Sequence, residues 1–151
     1  MDYSHEDTEL IKQPIGYWSW AAHDSVVART RGALADIGVT QPQWWILARL
    51  AGGAGDGTRA DLVRTLGGYL AVGDEGIDAE VDATVSRGWT TETPEGMTLT
   101  DVGRELHARA AVLQDELWAE RHAGITDEEY LTTLKVLQRF VHNTGGRAWH
   151  H

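Results

Sequence analysis

Apolar residues recur at helical spacing from residue 15 to residue 37, at intervals of three, four or seven positions. The stripe consists of Ile15, Trp18, Ala22, Val26, Ala33 and Ile37. A second stripe on another face consists of Trp20, Val27 and Leu34. A helix with two apolar sides buries one side in its own core and the other against a partner chain. Residues 1–13 are polar and without periodicity, and they are predicted to be a flexible arm.

Three helices are predicted in the middle of the chain. Thr40 is placed to cap the first, with a proline inside its first turn. Thr58 and Asp61 open the second, over residues 59–66, in the manner of a capping box. The third, over about residues 76–87, is predicted from an apolar stripe that repeats every fourth residue. That stripe consists of Ile77, Val81 and Val85.

Two short strands and two further helices complete the pattern. The strands flank the turn Pro94-Glu95-Gly96, and a long helix from Asp101 to about His122 follows. At about 1.5 Å per residue this helix is about 33 Å long, so part of it is expected to project from the domain. Thr126 and Glu129 form a capping box for a last, amphipathic helix.

This order of elements predicts a mainly α fold with a small β-hairpin wing. Residues 58–104 have the order of a winged helix-turn-helix, and residues 14–37 and 105–144 are predicted to be dimerisation helices. Residues 14–144 are expected to form a single domain. Residues 145–151 are expected to be a tail.

The charge pattern argues against an ordinary nucleic-acid binder. The net charge is −10, and the only lysines are Lys12 and Lys135. Between Gly73 and Asp101 there are eight acidic residues and one basic residue, Arg87. DNA-binding proteins gain most of their affinity from cations that neutralise phosphates. The acidic residues also fit a solvated helix face or a helix N-terminal cap, but that face would still have to meet DNA.

No motif for catalysis, a cofactor or a metal is present in the sequence. The chain has no cysteine, which excludes disulfides and thiolate sites. His107 and His122 each lack a second ligand at helical spacing, so no metal site is expected. The acidic N-terminus has no secretory signal and no apolar run is long enough for a membrane span, so a cytoplasmic protein is expected. Simple acid–base chemistry in an aromatic pocket stays open.

The tryptophans suggest a binding crevice. Trp44 lies on the core stripe of its helix, whereas Trp45 lies about 100° away and must face a crevice or solvent. A crevice lined by Trp45, Trp20 and His23 is a reasonable site for a small molecule. The alternative is ordinary packing of aromatic residues in a dimer interface.

Several segments together resemble the MarR family of bacterial winged-helix regulators, particularly forms common in actinobacteria. They include Gly38-Val-Thr-Gln-Pro-Gln-Trp44, the helix pair, and Leu99-Thr-x-x-Gly-Arg104 directly after the wing, which is the most specific piece. The resemblance covers about residues 14–144. It implies a homodimer intertwined through the first, fifth and sixth helices. It also implies a fourth helix that reads the major groove, a wing in the minor groove, and small ligands that bind beside the dimerisation helices and lower DNA affinity.

The residue assignments combine the resemblance with the positions of cations and aromatic residues. Expected DNA contacts are Arg59, Arg64 and Arg87 to phosphates, with Tyr69 and Thr84 near bases. The expected ligand pocket consists of Tyr17, Trp20, His23, Trp45 and His107. The family's wing usually has a basic tip, whereas Glu92-Thr-Pro-Glu-Gly96 has none.

The leading hypothesis is a dimeric MarR-like regulator whose DNA binding responds to an aromatic or amphipathic small molecule. The alternative is a repurposed winged-helix dimer that binds or transforms a small molecule without DNA. A third possibility is an adaptor that presents its acidic helix to a basic partner.

Overall fold

The secondary structure consists of helices and a two-stranded hairpin. The computed structural model describes residues 2–55, 57–68 and 73–147, and the backbone alone of residues 73–75. Its elements are α1 (Asp7–Leu10), α2 (Ile15–Asp36), α3 (Gln41–Gly52), α4 (Arg59–Gly67), α5 (Gly73–Ser86), β1 (Thr90–Thr93), β2 (Gly96–Leu99), α6 (Asp101–Arg121) and α7 (Asp127–Asn143). The predicted class, mainly α with a β-hairpin wing, is confirmed.

The predicted boundaries agree with the structure except at two places. The arm over residues 1–13 contains the single helical turn α1, which has no apolar periodicity to reveal it. The helix predicted from about residue 76 begins at Gly73. β1 and β2 pair antiparallel, with Thr90 opposite Leu99.

Threonine caps fix where four helices begin. The hydroxyls of Thr40, Thr58, Thr100 and Thr126 each accept a hydrogen bond from a backbone N–H three residues later. The Thr40 and Thr126 caps are complete capping boxes, because the third residue of each helix returns a side-chain bond to the cap N–H. A cap of this kind stabilises a helix by about 1 kcal/mol.

Two hydrophobic clusters meet at α3. One joins α2, α3, β2 and α6 through Leu34, Val39, Leu47, Leu99, Leu106 and Ala110. The other joins α3, α4, α5 and β2 through Ile46, Leu62, Leu66, Ile77, Val81 and Met97. The prediction that Val85 continues the buried stripe of α5 is wrong. Val85 is 37% exposed, and Thr84 is fully buried in its place.

The segment Leu99–Arg104 locks the wing to α6. The Thr100 hydroxyl donates to the Gly88 carbonyl at 2.6 Å, and the Thr100 N–H donates to the Trp89 carbonyl at 3.0 Å. A Cβ on Gly103 would lie 1.9 Å from the Trp89 carbonyl oxygen, so only glycine fits there. Arg104 donates to the Leu99 carbonyl at 2.6 Å. The close approach of α6 to Trp89, which lies between α5 and β1, therefore explains the Leu-Thr-x-x-Gly-Arg motif.

Two helices leave large apolar surfaces uncovered. The structure describes the whole of α7, and none of its residues is buried. In α2 the buried residues are Thr30, Ala33 and Leu34, all in its second half. The exposed large apolar side chains of these helices include Ile15, Tyr17, Trp18, Trp20, Val26, Leu131, Leu134 and Phe140. None of the helices within the described part of the chain has the length and apolarity to cross a membrane.

Candidate DNA-binding face and ligand cleft

The outer face of α5 carries Asp78 and Asp82, which lie one helical turn apart. Ile77 and Val81 lie about 100° away around the helix and are buried in the core, so Asp78 and Asp82 lie on a side of α5 that faces solvent. Glu80 lies on a third side and accepts a hydrogen bond from the Gln43 side chain of α3 at 2.7 Å. The face that a winged helix presents to DNA is therefore acidic along α5.

Arg59, the first residue of α4, binds three carboxylates from two other elements. Its Nε donates to both oxygens of Glu92 on β1, each at 3.1 Å. Its Nη1 donates to Asp78 at 2.8 Å, and its Nη2 donates to Asp82 at 2.7 Å and to Glu92 at 3.0 Å. We call these four residues the Arg59 clasp. The clasp joins α4, α5 and the wing.

The clasp is negatively charged as a whole. One guanidinium faces three carboxylates, which leaves two negative charges uncompensated. The hydrogen bonds from Arg59 to Glu92, and next to Asp78, raise the pKa of the Arg59 guanidinium above its ordinary value. Arg59 therefore carries its positive charge at neutral pH.

A second ionic cluster lies at the side of α4. Asp61 is 5% exposed and accepts from Arg49 at 2.8 Å and from Arg64 at 2.6 Å. The Arg64 side chain is 70% exposed, so its guanidinium reaches solvent beyond this contact. Arg64 is the predicted phosphate contact with the most accessible charge.

The wing tip carries a carboxylate where a basic side chain would favour DNA. A hydrogen bond from the Thr93 hydroxyl, and then one from the backbone, lower the pKa of Glu95. Glu95 therefore carries its negative charge at neutral pH. Close to the minor groove this charge would repel the phosphates.

A cleft of about 540 Å³ lies between α2, α3, α6 and α7. This volume is within the range of small-molecule sites. Its aromatic walls consist of Trp44, Trp45, Trp118, His122 and Tyr130. The Trp118 and His122 rings stack with centroids 4.0 Å apart, and Tyr130 meets them edge-on at 5.9 and 4.7 Å. These edge-on and stacked contacts join α6 to the start of α7.

Polar groups in the cleft lie along one face of α6. Arg121 is the one lysine, arginine or acidic residue among the described lining residues, and its guanidinium carbon lies 4.8 Å from the Trp118 ring centroid. His122 Nδ1 lies 2.8 Å from the Trp118 carbonyl oxygen, so it carries the hydrogen, and Nε2 of the neutral ring is an acceptor. His122 Nε2 and Gln114 Nε2 are covered from solvent and have no hydrogen-bond partner within the described residues.

Comparison with known proteins identifies the fold. No protein-family model matches the sequence, and no curated protein matches it significantly. Among solved structures, a MarR family protein of Mycobacterium tuberculosis in complex with DNA is similar, with 22% identity and a TM-score of 0.66. The match covers 85% of this chain and 98% of that chain. MarR of E. coli in its reduced form has 20% identity and a TM-score of 0.65, over 88% and 98% of the two chains.

A third similar structure is that of the transcriptional regulator PA3341, with 20% identity, a TM-score of 0.69, and coverage of 89% and 100%. The chain has the MarR-type winged-helix fold. At identities of 20–22% these comparisons establish the fold. In the MarR-type fold, α4 and α5 are the helix-turn-helix, β1 and β2 are the wing, and α2, α6 and α7 lie outside the winged-helix lobe.

The structure contradicts one predicted DNA contact, leaves a second as a prediction and does not describe a third. Thr84 is fully buried, and its hydroxyl lies 2.9 Å from that of Thr90 and donates to the Val81 carbonyl at 2.8 Å. Its assignment near a base is wrong, because helical packing turns it into the core. Arg87 is exposed, donates to the Gly38 carbonyl at 2.8 Å and lies over the Trp89 ring, and its contact with a phosphate stays a prediction. Tyr69 lies outside the described residues.

The predicted ligand residues do not converge in this MarR-type chain. Of the five, only Trp45 lies among the described residues that line the cleft. Tyr17, Trp20 and His23 lie on the exposed first half of α2. His107 stacks on the Trp44 ring at 5.4 Å and borders a separate depression beside Leu50 and Met97. The predicted crevice of Trp20, His23 and Trp45 is therefore not formed within one chain.

The cleft residues that sequence reasoning missed follow a readable pattern. Gln114, Trp118 and His122 repeat every fourth residue on α6, so they share one face. Because Gln114 and His122 are polar, apolar periodicity does not mark this stripe. Tyr130 comes from α7, and nothing in the sequence pairs it with Trp118. The described residues contain no group of three His, Asp or Glu side chains that could hold a metal ion.

Proposed function

We propose that this chain is a MarR-like transcriptional regulator that acts as a homodimer and binds double-stranded DNA under the control of a small molecule. The observation that carries this proposal is the MarR-type fold with an aromatic cleft between its outer helices and α3. One similar M. tuberculosis protein was solved with DNA, and others were solved with salicylic acid and p-aminosalicylic acid.

The uncovered helices support the homodimer. All of α7 and the first half of α2 present apolar side chains to solvent, including Trp20 at 61% exposure. Monomeric proteins rarely expose apolar patches of this extent, which usually mark a protein interface. A second copy of the chain offers the same two faces, as a two-fold interface requires. Sedimentation of a monomer at micromolar concentration would contradict this part of the proposal.

The chemistry of the cleft favours a planar aromatic anion as the ligand. Aromatic walls bind a flat ring, and Arg121 supplies one positive charge with no carboxylate among the described lining residues. Salicylate is a suitable probe, and its neutral amide is a matched control of the same shape.

Binding of the probe is measured by quenching of tryptophan fluorescence. We expect Arg121→Gln to weaken salicylate binding by about tenfold, because it removes one charge-assisted hydrogen bond. The neutral amide should bind both proteins equally. Equal affinity of the wild-type protein and the variant for salicylate would show that the carboxylate of the ligand does not contact Arg121.

DNA binding is tested with a labelled duplex from the region upstream of the protein's own gene, titrated from about 50 to about 200 mM salt. Arg64 is the most accessible cation of the face, so Arg64→Ala should weaken binding and reduce the salt slope by about one. Arg109→Ala is the control, because it removes the same charge from an exposed position on α6, away from that face. Equal effects of the two substitutions would refute the proposed interface.

A second candidate function is favoured by the Arg59 clasp. Three carboxylates are paired with Arg59, the arginine that begins the helix-turn-helix, so the face is acidic and its arginine is already bound. Such a face favours a winged-helix dimer that binds or transforms a small molecule and does not bind DNA. For this candidate, salicylate binding persists while the duplex fails to bind even at about 50 mM salt. Salt-sensitive, nanomolar binding of the duplex would exclude it.

A further inference from the structure

The Arg59 clasp uses every nitrogen of the guanidinium. A guanidinium has five N–H groups, and the clasp uses four of them: Nε shares its hydrogen between both Glu92 oxygens, Nη1 donates once and Nη2 donates twice. A phosphate that binds Arg59 through two N–H groups therefore has to displace at least one carboxylate. Simple exposure of Arg59 to solvent does not make it ready to bind DNA.

The clasp is nevertheless accessible enough to open. The side chain of Arg59 is 27% exposed, and those of Asp78, Asp82 and Glu92 are 51, 66 and 40% exposed. Ion pairs at this exposure are screened by solvent and contribute little each. A phosphate oxygen, which also forms strong paired bonds with arginine, can compete for the same nitrogens.

The position of Arg59 makes such competition relevant. In helix-turn-helix proteins the first helix of the pair crosses the DNA backbone while the second enters the major groove. Arg59 begins that first helix, α4, and its partners lie on α5 and on the first strand of the wing. All three parts of the DNA-binding face are thus tied to one arginine.

We propose that the Arg59 clasp is an autoinhibitory contact, in which Asp78, Asp82 and Glu92 hold Arg59 away from the DNA backbone. This inference rests on the proposed DNA-binding function. Arg59 contacts DNA only when a phosphate replaces carboxylates on it, and the freed carboxylates turn toward solvent. The release also breaks the ionic link that joins Glu92 of the wing to α5 through Arg59, while the buried contacts between the wing and α5 remain.

The test is a thermodynamic cycle measured with the labelled upstream duplex. One variant, Asp78→Asn/Asp82→Asn/Glu92→Gln, keeps the side-chain shapes and removes the three charges that hold Arg59. The same three changes are also made in an Arg59→Ala protein. Because the cycle compares two backgrounds, it separates the release of Arg59 from the simple loss of repulsion between carboxylates and DNA.

We expect the three changes to tighten DNA binding about tenfold more in the Arg59 background than in the Arg59→Ala background, the size expected for the loss of three competing ion pairs. Arg59→Ala should reduce the magnitude of the slope of log K against log salt by about 0.9, because it removes one phosphate contact. The control Glu105→Gln/Asp115→Asn/Glu116→Gln makes the same charge change on α6 and should show no dependence on Arg59. Thermal melts establish that each variant is folded.

The outcomes distinguish the clasp from the proposed function. If the wild-type protein binds the duplex and the gain is equal in both backgrounds, the clasp inference is wrong and the regulator stands. If the wild-type protein fails to bind but the triple variant binds through Arg59, the clasp is supported while unaided DNA binding by the native chain is refuted. If no protein binds at about 50 mM salt, both proposals are overturned.

Discussion

Replacing Gly103 by alanine tests how closely α6 approaches the wing. The new Cβ would lie 1.9 Å from the Trp89 carbonyl oxygen and 2.9 Å from the Trp89 carbonyl carbon. Normal contacts are about 3.5 Å, so the two backbones must separate by more than about 1 Å. Overpacking of this kind costs about 1–3 kcal/mol. Movement of the carbonyl also weakens the hydrogen bond that it accepts from the Thr100 N–H at 3.0 Å, which is worth about 1 kcal/mol.

Alanine at a helical position also brings a gain, because it forms helix better than glycine by about 1 kcal/mol. The net expectation for Gly103→Ala is a loss of about 1–3 kcal/mol in the free energy of unfolding. For a chain of this length, that loss lowers the melting temperature by about 2–12 °C. The change is measured by thermal denaturation at fixed protein concentration, since association would shift the midpoint.

Gly52→Ala is the matched control. Gly52 is also helical, but a Cβ there meets nothing within 4 Å, so the substitution should be neutral or should stabilise by up to about 1 kcal/mol. A melting temperature for Gly103→Ala equal to that of the wild-type protein would refute the close approach of α6 to Trp89. The Leu-Thr-x-x-Gly-Arg motif would then need another explanation.

Three further predictions concern single contacts. Thr84→Val should lower the free energy of unfolding by about 1–3 kcal/mol, because it leaves the buried Thr90 hydroxyl unpaired; adding Thr90→Val should restore part of the loss in denaturant titrations. Hydrogen bonds from the backbone and the side chain of Thr126 lower the pKa of Glu129 in the folded protein. The ionised Glu129 therefore stabilises the folded state fully above the pKa of Glu in the unfolded chain, about 4.3. This stabilisation disappears as the pH falls through the lower pKa of the folded state. Circular dichroism should show that Glu129→Gln, which keeps the cap, removes this acid transition. Gly88→Ala should cost about 1–2 kcal/mol from its φ of 69° alone, and an unchanged melting temperature would contradict that.

The fold was largely predictable because its signals are local. Helical stripes, threonine caps and a proline–glycine turn lie within a few residues of the features they specify, so they can be identified without tertiary structure. Val85 shows the limit of this reasoning. It has the same four-residue spacing as Ile77 and Val81, but the helix turns about 40° every four residues, and by the third position the stripe has rotated out of the core.

The candidate sites were less predictable because their residues are distant in sequence. Arg59 lies 19, 23 and 33 residues from Asp78, Asp82 and Glu92, and no local pattern says which acidic residues face it. The sequence did indicate a shortage of cations on this face. It could not show that the best-placed cation is already bound.

Arg59 stabilises the folded protein whether or not the protein binds DNA. An effect of an Arg59 variant on DNA affinity therefore has two explanations. Asp78 and Asp82 lie at positions i and i+4 of α5, where like charges destabilise a helix, and Glu92 adds a third charge beside them. Without Arg59 the three carboxylates repel one another, so Arg59→Ala should destabilise the winged helix whether or not the protein binds DNA. A weaker complex with Arg59→Ala is therefore ambiguous by itself. The deciding quantity is how much the effect of the carboxylate substitutions on DNA affinity depends on Arg59. A purely stabilising ion-pair cluster predicts no such dependence, whereas an autoinhibitory contact predicts one.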